Sequence, residues 1–310
     1  MAAAVWSQES VAKRLEKEYV AVLIDVDKNE TVPAQYDVSA MPTLVITDAK
    51  GAQLAKSVGA PFSTPEDAIK WFDEIGEKIT AFDDLLTKWD ASKHTDVEIG
   101  EKFAKACADL GRTDDAVSTY ESLVTLAGDD KAKAAGAYLG LARIYADQYE
   151  FEDAAKYAEK ASEGTPEEGD ARVDLDLLRV QILLYTEKPA EARKLCEKHR
   201  EALLKAKDER VIELTQYYMG TNEGEESEVN KKGRELYVEL AKAFAEHERV
   251  WELKTIAAWY ALNGDDKATG IKELEEVVEK AEGRWKDIAK SVLESSKEEG
   301  DSDDSEDEER

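Results

Sequence analysis

The chain has 310 residues, with 42 basic and 70 acidic side chains and a net charge of −28 at neutral pH. That charge excludes nucleic acid and anionic lipid surfaces as partners, because their phosphates repel it. Two cysteines and three histidines without ligand spacing exclude a disulfide framework and a zinc cage, and no metal or cofactor is expected. In chain order, Ser7 or Ser10 is placed to cap a first helix carrying Val11, Leu15 and Tyr19. Tyr19–Val26 is short, apolar and β-branched, which predicts a buried parallel strand. A short helix is expected over Val32–Tyr36, and a second strand over Thr43–Thr47. Asp48–Gly51 reads as a turn, leading to a third strand over Gln53–Val58, antiparallel to the second. Thr64 then caps a helix with Pro65 at its first position and Ile69, Phe72 and Ile75 on its buried stripe.

Four stretches in this order carry a family likeness: Ile24–Asp27, Gln35–Val38, Ala40–Leu44 with Met41, Pro42 and Thr43 inside it, and Asp48–Gly51. Residues 5–80 resemble the thioredoxin fold. The resemblance implies an α/β domain in which the proline matching Pro42 is cis and the backbone before it pairs with an extended peptide. Met41, Pro42 and Thr43 are therefore candidate peptide-binding residues. The departure is chemical. No cysteine precedes Cys107, and the spacing from Ser10 to Asp25 is too short for Trp6–Ser10 to be the family's Trp-Cys-x-x-Cys segment with its cysteines replaced. The alignment puts the first strand and that motif before residue 1, so either the chain begins late or the domain has lost that part, and as given it reads as redox-silent.

From Phe82 onward the pattern is helical. Ala116, Ala154 and Ala192 recur every 38 residues, within copies that also carry Ala104, Ala142 and Val180. Gly270 lies close to two further periods on. Residues 200–246 are irregular. These copies, the best being Tyr138–Pro166, resemble tetratricopeptide repeats, in which small residues let paired helices approach. The resemblance implies an all-α solenoid with a peptide-binding groove. Lys105, Arg143 and Gln181 occupy one repeat position on the face that normally lines it, and the basic groups of Lys105 and Arg143 suit a peptide carboxylate.

Thr221–Glu228 should be a mobile acidic loop. The tail, with nine acids and two bases over 297–310, should be disordered from Ser295. The expected division is a thioredoxin-like domain over 1–80, tetratricopeptide-like repeats over 81–294 and an acidic tail over 295–310, helical for the most part. Trp251, Trp259 and Trp285 are expected in the core or the solenoid cap, and His199 and His247 in surface or helix-packing roles. Asn29 should cap a helix. Cys107 and Cys196 fall at small buried positions and read as inert thiols.

The expected function is non-catalytic: a protein-interaction, scaffold or chaperone-like module with a protein or peptide partner, whether in a homo-oligomer or a larger assembly. No catalytic residues are assigned. The alternative is a thiol–disulfide oxidoreductase, serving redox homeostasis, whose Cys-x-x-Cys segment lies upstream. Tyr19–Ile24 is too short to cross a bilayer, and Met1–Trp6 lacks the features of a signal peptide. Taken literally the protein is cytoplasmic, or exported if an upstream segment exists.

Overall fold

The computed structural model describes residues 5–221 and 224–303, with side chains described as far as Ser296. It is mostly helical and parts into two compact units, Met1–Leu175 and Asp176–Arg310.

The first unit opens with α1 (Glu9–Leu15) and α2 (Thr31–Gln35), followed by β1 (Thr43–Thr47), β2 (Gln53–Val58) and α3 (Pro65–Ala91). Asn29 Oδ1 accepts the Val32 N–H at 3.1 Å and so caps the start of α2. The N-cap of α1 is Gln8 rather than Ser7 or Ser10, and it makes no side-chain cap bond. β1 and β2 pair antiparallel, with Thr43 opposite Val58 and Val45 opposite Lys56. Asp48 Oδ1 closes their turn by accepting the Lys50 and Ala52 N–H groups at 2.8 Å each. The Met41–Pro42 peptide bond before β1 is cis. Thr64 caps α3 by accepting the Asp67 N–H, with Pro65 at the first position. Phe72 and Ile75 of α3 are buried among Trp6, Tyr19, Phe62 and Trp71, while Ile69 is only half-buried. α3 runs unbroken through residues 80 and 81, where a domain division was expected.

One element expected of this region does not form. Tyr19–Val26 is not a buried strand, and among the described residues the sheet consists of β1 and β2 alone. Val20 is 93% exposed, Val22 72% and Leu23 94%. The physical reason is that a strand satisfies its N–H and C=O groups only through a neighbour, and here no neighbouring strand lies beside it. The α/β part of the expected fold is thus reduced to one hairpin and the helices around it.

The helical hairpins form as the 38-residue spacing requires. α4 (Val97–Asp109) packs on α5 (Thr113–Ala127), and α6 (Lys131–Asp147) packs on α7 (Phe151–Gly164). α8 (Asp170–Tyr185) and α9 (Pro189–Ala206) make the third pair. Ala104, Ala142 and Val180 on the first helix of each pair are fully buried, as are Ala116, Ala154 and Ala192 on the second. Small side chains at these points let the backbones approach. A Cβ at Gly140 of α6 would overlap the ring of Tyr120 from α5. The α4–α5 turn also braces the β hairpin: Lys56 N–H donates to the Leu110 carbonyl at 2.8 Å, and Gly111 (φ +66°) sits against the Lys56 carbonyl.

The second unit continues with α10 (Arg210–Gly220) and α11 (Glu226–Ala243), which break the period. α12 (Val250–Leu262), α13 (Lys267–Lys280) and α14 (Arg284–Asp303) follow. Gly270 lies where the earlier pairs carry alanine, and a Cβ there would come within 2.6 Å of the Leu262 nitrogen. Three expectations change here. Glu226, Ser227 and Glu228 belong to the first turn of α11 rather than to a loop, because acids favour a helix N-terminus; Asn222 and Glu223 lie outside the described residues. The α14 backbone stays helical through Asp303, beyond Ser295, and 304–310 lie outside the described residues. Trp259 is 43% exposed, since α12 turns its other faces toward α11 and α13.

Candidate functional site

The sequence singles out two places, and the fold treats them differently. At the first, Met41 is 69% exposed beside the start of β1. Thr43 Oγ1 donates to the Ala40 carbonyl at 2.6 Å, and the Pro42 carbonyl accepts the Gly59 N–H at 2.8 Å. These bonds fold the segment onto β2. Lys56 stands opposite Val45 and sends its N–H away from β1 toward Leu110. Backbone groups of such a pair point outward on both strands, so Val45 presents its own N–H and C=O to the open side of β1. Met41, Pro42 and Thr43 therefore sit at the head of an edge that is unpaired among the described residues.

The second place is a helix face. Lys105 of α4 and Arg143 of α6 do occupy equivalent positions, but neither is a free cation. Lys105 Nζ pairs with Asp109 at 2.6 Å, one turn further along α4. Arg143 lies 4.0 Å from Asp174 of α8. Asp109 and Asp147 repeat the same 38-residue interval, so each helix carries a base followed one turn later by an acid. Gln181 belongs to the second unit. The carboxylate clamp expected of Lys105, Arg143 and Gln181 is thus counter-charged within the first unit.

Further carboxylates tip the balance. The Glu101 side chain of α4 lies over Gly136 of α6, in space that a Cβ would fill. Burial pushes the Glu101 carboxyl above its ordinary range, with Glu98 adding to the effect. Burial does the same to Asp147, against the pull of Arg143. Among the described residues neither Glu101 nor Asp147 has an ion-pair partner. Tyr120 lies within the field of Arg143, Glu101 and Asp109, and burial pushes its hydroxyl up to about 12. The face thus gathers Glu101, Asp109, Asp147 and Asp174 against Lys105 and Arg143, a surplus of two negative charges. Neither acid without an ion pair was singled out by sequence, although the interval shared by Asp109 and Asp147 was a usable signal.

Other groups are structural. The thiols of Cys107 and Cys196 are fully buried, and desolvation pushes both up to about 12, so neither ionises at neutral pH. Asp176 of α8 is 1% exposed and binds Arg179 at 3.0 Å, Lys198 at 3.0 Å and His199 at 2.8 Å. Burial raises its pKa, but the hydrogen bonds from His199 and Lys198 outweigh this and hold it below the ordinary range. Among the described residues no group of three or more His, Cys, Asp or Glu is arranged to hold a metal ion, and no helix is long and apolar enough to cross a membrane.

No family model matches the sequence, and no curated protein matches it. A solved structure described as YrrB, a TPR protein with an unusual peptide-binding site, is similar with a TM-score of 0.44 and 18% identity, over 63% of this chain and 91% of that chain. A likeness that loose assigns no residue here.

Proposed function

We propose that the chain is a non-catalytic protein-interaction module, a scaffold or chaperone-like part of an assembly, whose tetratricopeptide-like helix pairs hold a basic peptide. The observation that carries this is the acid surplus on the α4–α6 face, where Glu101 is half-buried, Asp147 is exposed, and neither has an ion-pair partner among the described residues. A half-buried carboxylate such as Glu101 gains more from a lysine or arginine of a ligand than a solvated one does, because the local dielectric is lower. Lys105 and Arg143 orient the neighbouring acids instead of gripping a peptide carboxylate. The thioredoxin-like reading of residues 5–80 belongs to the same proposal. The helix–hairpin–helix order supports it, and in this proposal that region is a supporting element rather than a redox centre.

The test is fluorescence anisotropy with labelled peptides of equal length, one rich in lysine and arginine and one rich in aspartate and glutamate. The basic peptide should bind saturably and the acidic one should not. The paired change Glu101→Gln and Asp147→Asn should weaken the basic peptide about 10-fold. Equal binding of both peptides, or insensitivity to the paired change, overturns the assignment. Turnover in an insulin-reduction assay would overturn the non-catalytic reading.

A further inference from the structure

The segment Val20–Ile24 is unlike any other in the described chain. It passes without helix, turn or bend. Val20, Val22 and Ile24 are β-branched, yet Val20, Val22 and Leu23 are exposed. Among the described residues, none of its N–H groups donates to another backbone and none of its carbonyls accepts. One end is anchored on α3 and the other runs into a local turn. Tyr19 packs its ring 5.4 Å from that of Phe72, and its N–H donates to the Leu15 carbonyl. At the other end the Asp25 carbonyl accepts the Lys28 and Asn29 N–H groups. An apolar segment anchored at Tyr19 and bounded by a turn at Asp25, with its backbone donors and acceptors open, is a template for a strand.

We propose that Val20–Ile24 is a docking edge that pairs, backbone to backbone, with an extended polypeptide segment of a partner, apolar at alternate positions and flanked by lysine or arginine. Alternation follows from the strand period: Val20 and Val22 share one face while Leu23 takes the other. Charge selects the flanks. Between Glu16 and Lys28 the carboxylates of Glu16, Glu18, Asp25 and Asp27 outnumber the amines of Lys17 and Lys28; Asp25 pairs with Lys28 at 2.6 Å and Glu18 with Arg14 at 3.0 Å, which leaves Glu16 and Asp27 against Lys17. The same imbalance disfavours a second copy, which would bring the same acids together on chains that each carry −28. This edge is separate from the α4–α6 face and calls for a different ligand form, an extended strand rather than a solvated basic peptide.

The test uses the full chain and a fluorescein-labelled peptide of alternating valine and threonine with two lysines at each end. A matched peptide carries glutamates there instead. Anisotropy should show saturable binding of the lysine form, with the glutamate form at least about 10-fold weaker. Amide hydrogen exchange should show Val20–Ile24 exchanging freely in the isolated chain and slowing about 10-fold or more when peptide is bound. Val22→Pro removes one N–H donor at an exposed site. It should abolish binding while leaving circular dichroism and Tm unchanged, and Leu23→Lys provides a second variant should the proline perturb the fold. Glu101→Gln with Asp147→Asn should leave this binding intact, which separates the edge from the helix face. Slowing of these amides on raising the protein concentration without peptide would assign the edge to a second copy and overturn the proposal. Protection of the run in the dilute free chain would overturn it as well, and so would peptide binding that leaves these amides unchanged.

Discussion

The α6–α7 hairpin and the run Tyr19–Ile24 are both apolar, periodic stretches of one chain, and they end in opposite states. A helix closes its hydrogen bonds within itself, so Lys131–Asp147 needs α7 only to cover its apolar stripe, and that partner arrives a few residues later. A strand closes none of its bonds alone. The β preference of Val20, Val22 and Leu23 is as plain as the helical pattern of α6, yet it leads to exposed backbone because the neighbour it requires is not beside it. Local preference becomes structure when the partner is supplied nearby in sequence. When the partner is distant, the preference marks a demand.

The comparison breaks most sharply where helices meet. Gly270→Val should cost about 3 kcal/mol, since the new side chain runs into the backbone of α12 at Leu262 and Ala258. Chemical denaturation of the variant against the parent measures it. A cost under about 1 kcal/mol would mean that these helices are not held at that approach.

Next in size is the buried carboxylate of the third hairpin. Asp176→Asn should cost about 2 kcal/mol, because Arg179, Lys198 and His199 lose a charged acceptor. The pH dependence has a definite sign. A carboxyl whose pKa is depressed by folding adds stability above its unfolded value, near 4, and loses it as the pH falls through the lower folded value. The parent's stability should therefore drop below about pH 4 more steeply than that of the variant, as read by urea melts across that window.

These two sites also show what the sequence could and could not reveal. The buried positions 116, 154 and 192 were legible because identical spacing places identical small residues at each helix crossing. The hairpin β1–β2, the Thr64 cap and the Asn29 cap were legible because each is settled within a few residues. The Asp176 cluster was not, since it joins residues 22 and 23 positions apart across a helix pair whose register no local pattern states. Lys105 and Arg143 were legible as a repeated position, but their neutralisation depends on Asp109, one turn along, and on Asp174, from the next hairpin. The run at Tyr19 misled for a different reason: propensity was correct, and the missing quantity was a neighbour.

Gly111→Ala should cost about 1–2 kcal/mol, because its φ of +66° disfavours a side chain and a Cβ would press on the Lys56 carbonyl. The loss should be local. Exchange at Lys56, whose N–H donates to Leu110, should speed up while the amides of α7 stay protected.

The smallest effects should have the opposite sign. Burial raises the carboxyl pKa values of Glu101 and Asp147, so each ionised group costs stability at neutral pH, and the cost disappears as the pH falls through the raised folded value. Glu101→Gln and Asp147→Asn should therefore raise Tm by about 1–2 °C at pH 7 while weakening the basic peptide. Gly111→Ala, in the same unit, should lower stability, as packing would demand. A substitution that stabilises the chain and loses the ligand separates a carboxylate kept for binding from one kept for the fold. If differential scanning fluorimetry shows Tm falling with either change, the carboxylate concerned belongs to the packing and the binding face must be sought elsewhere.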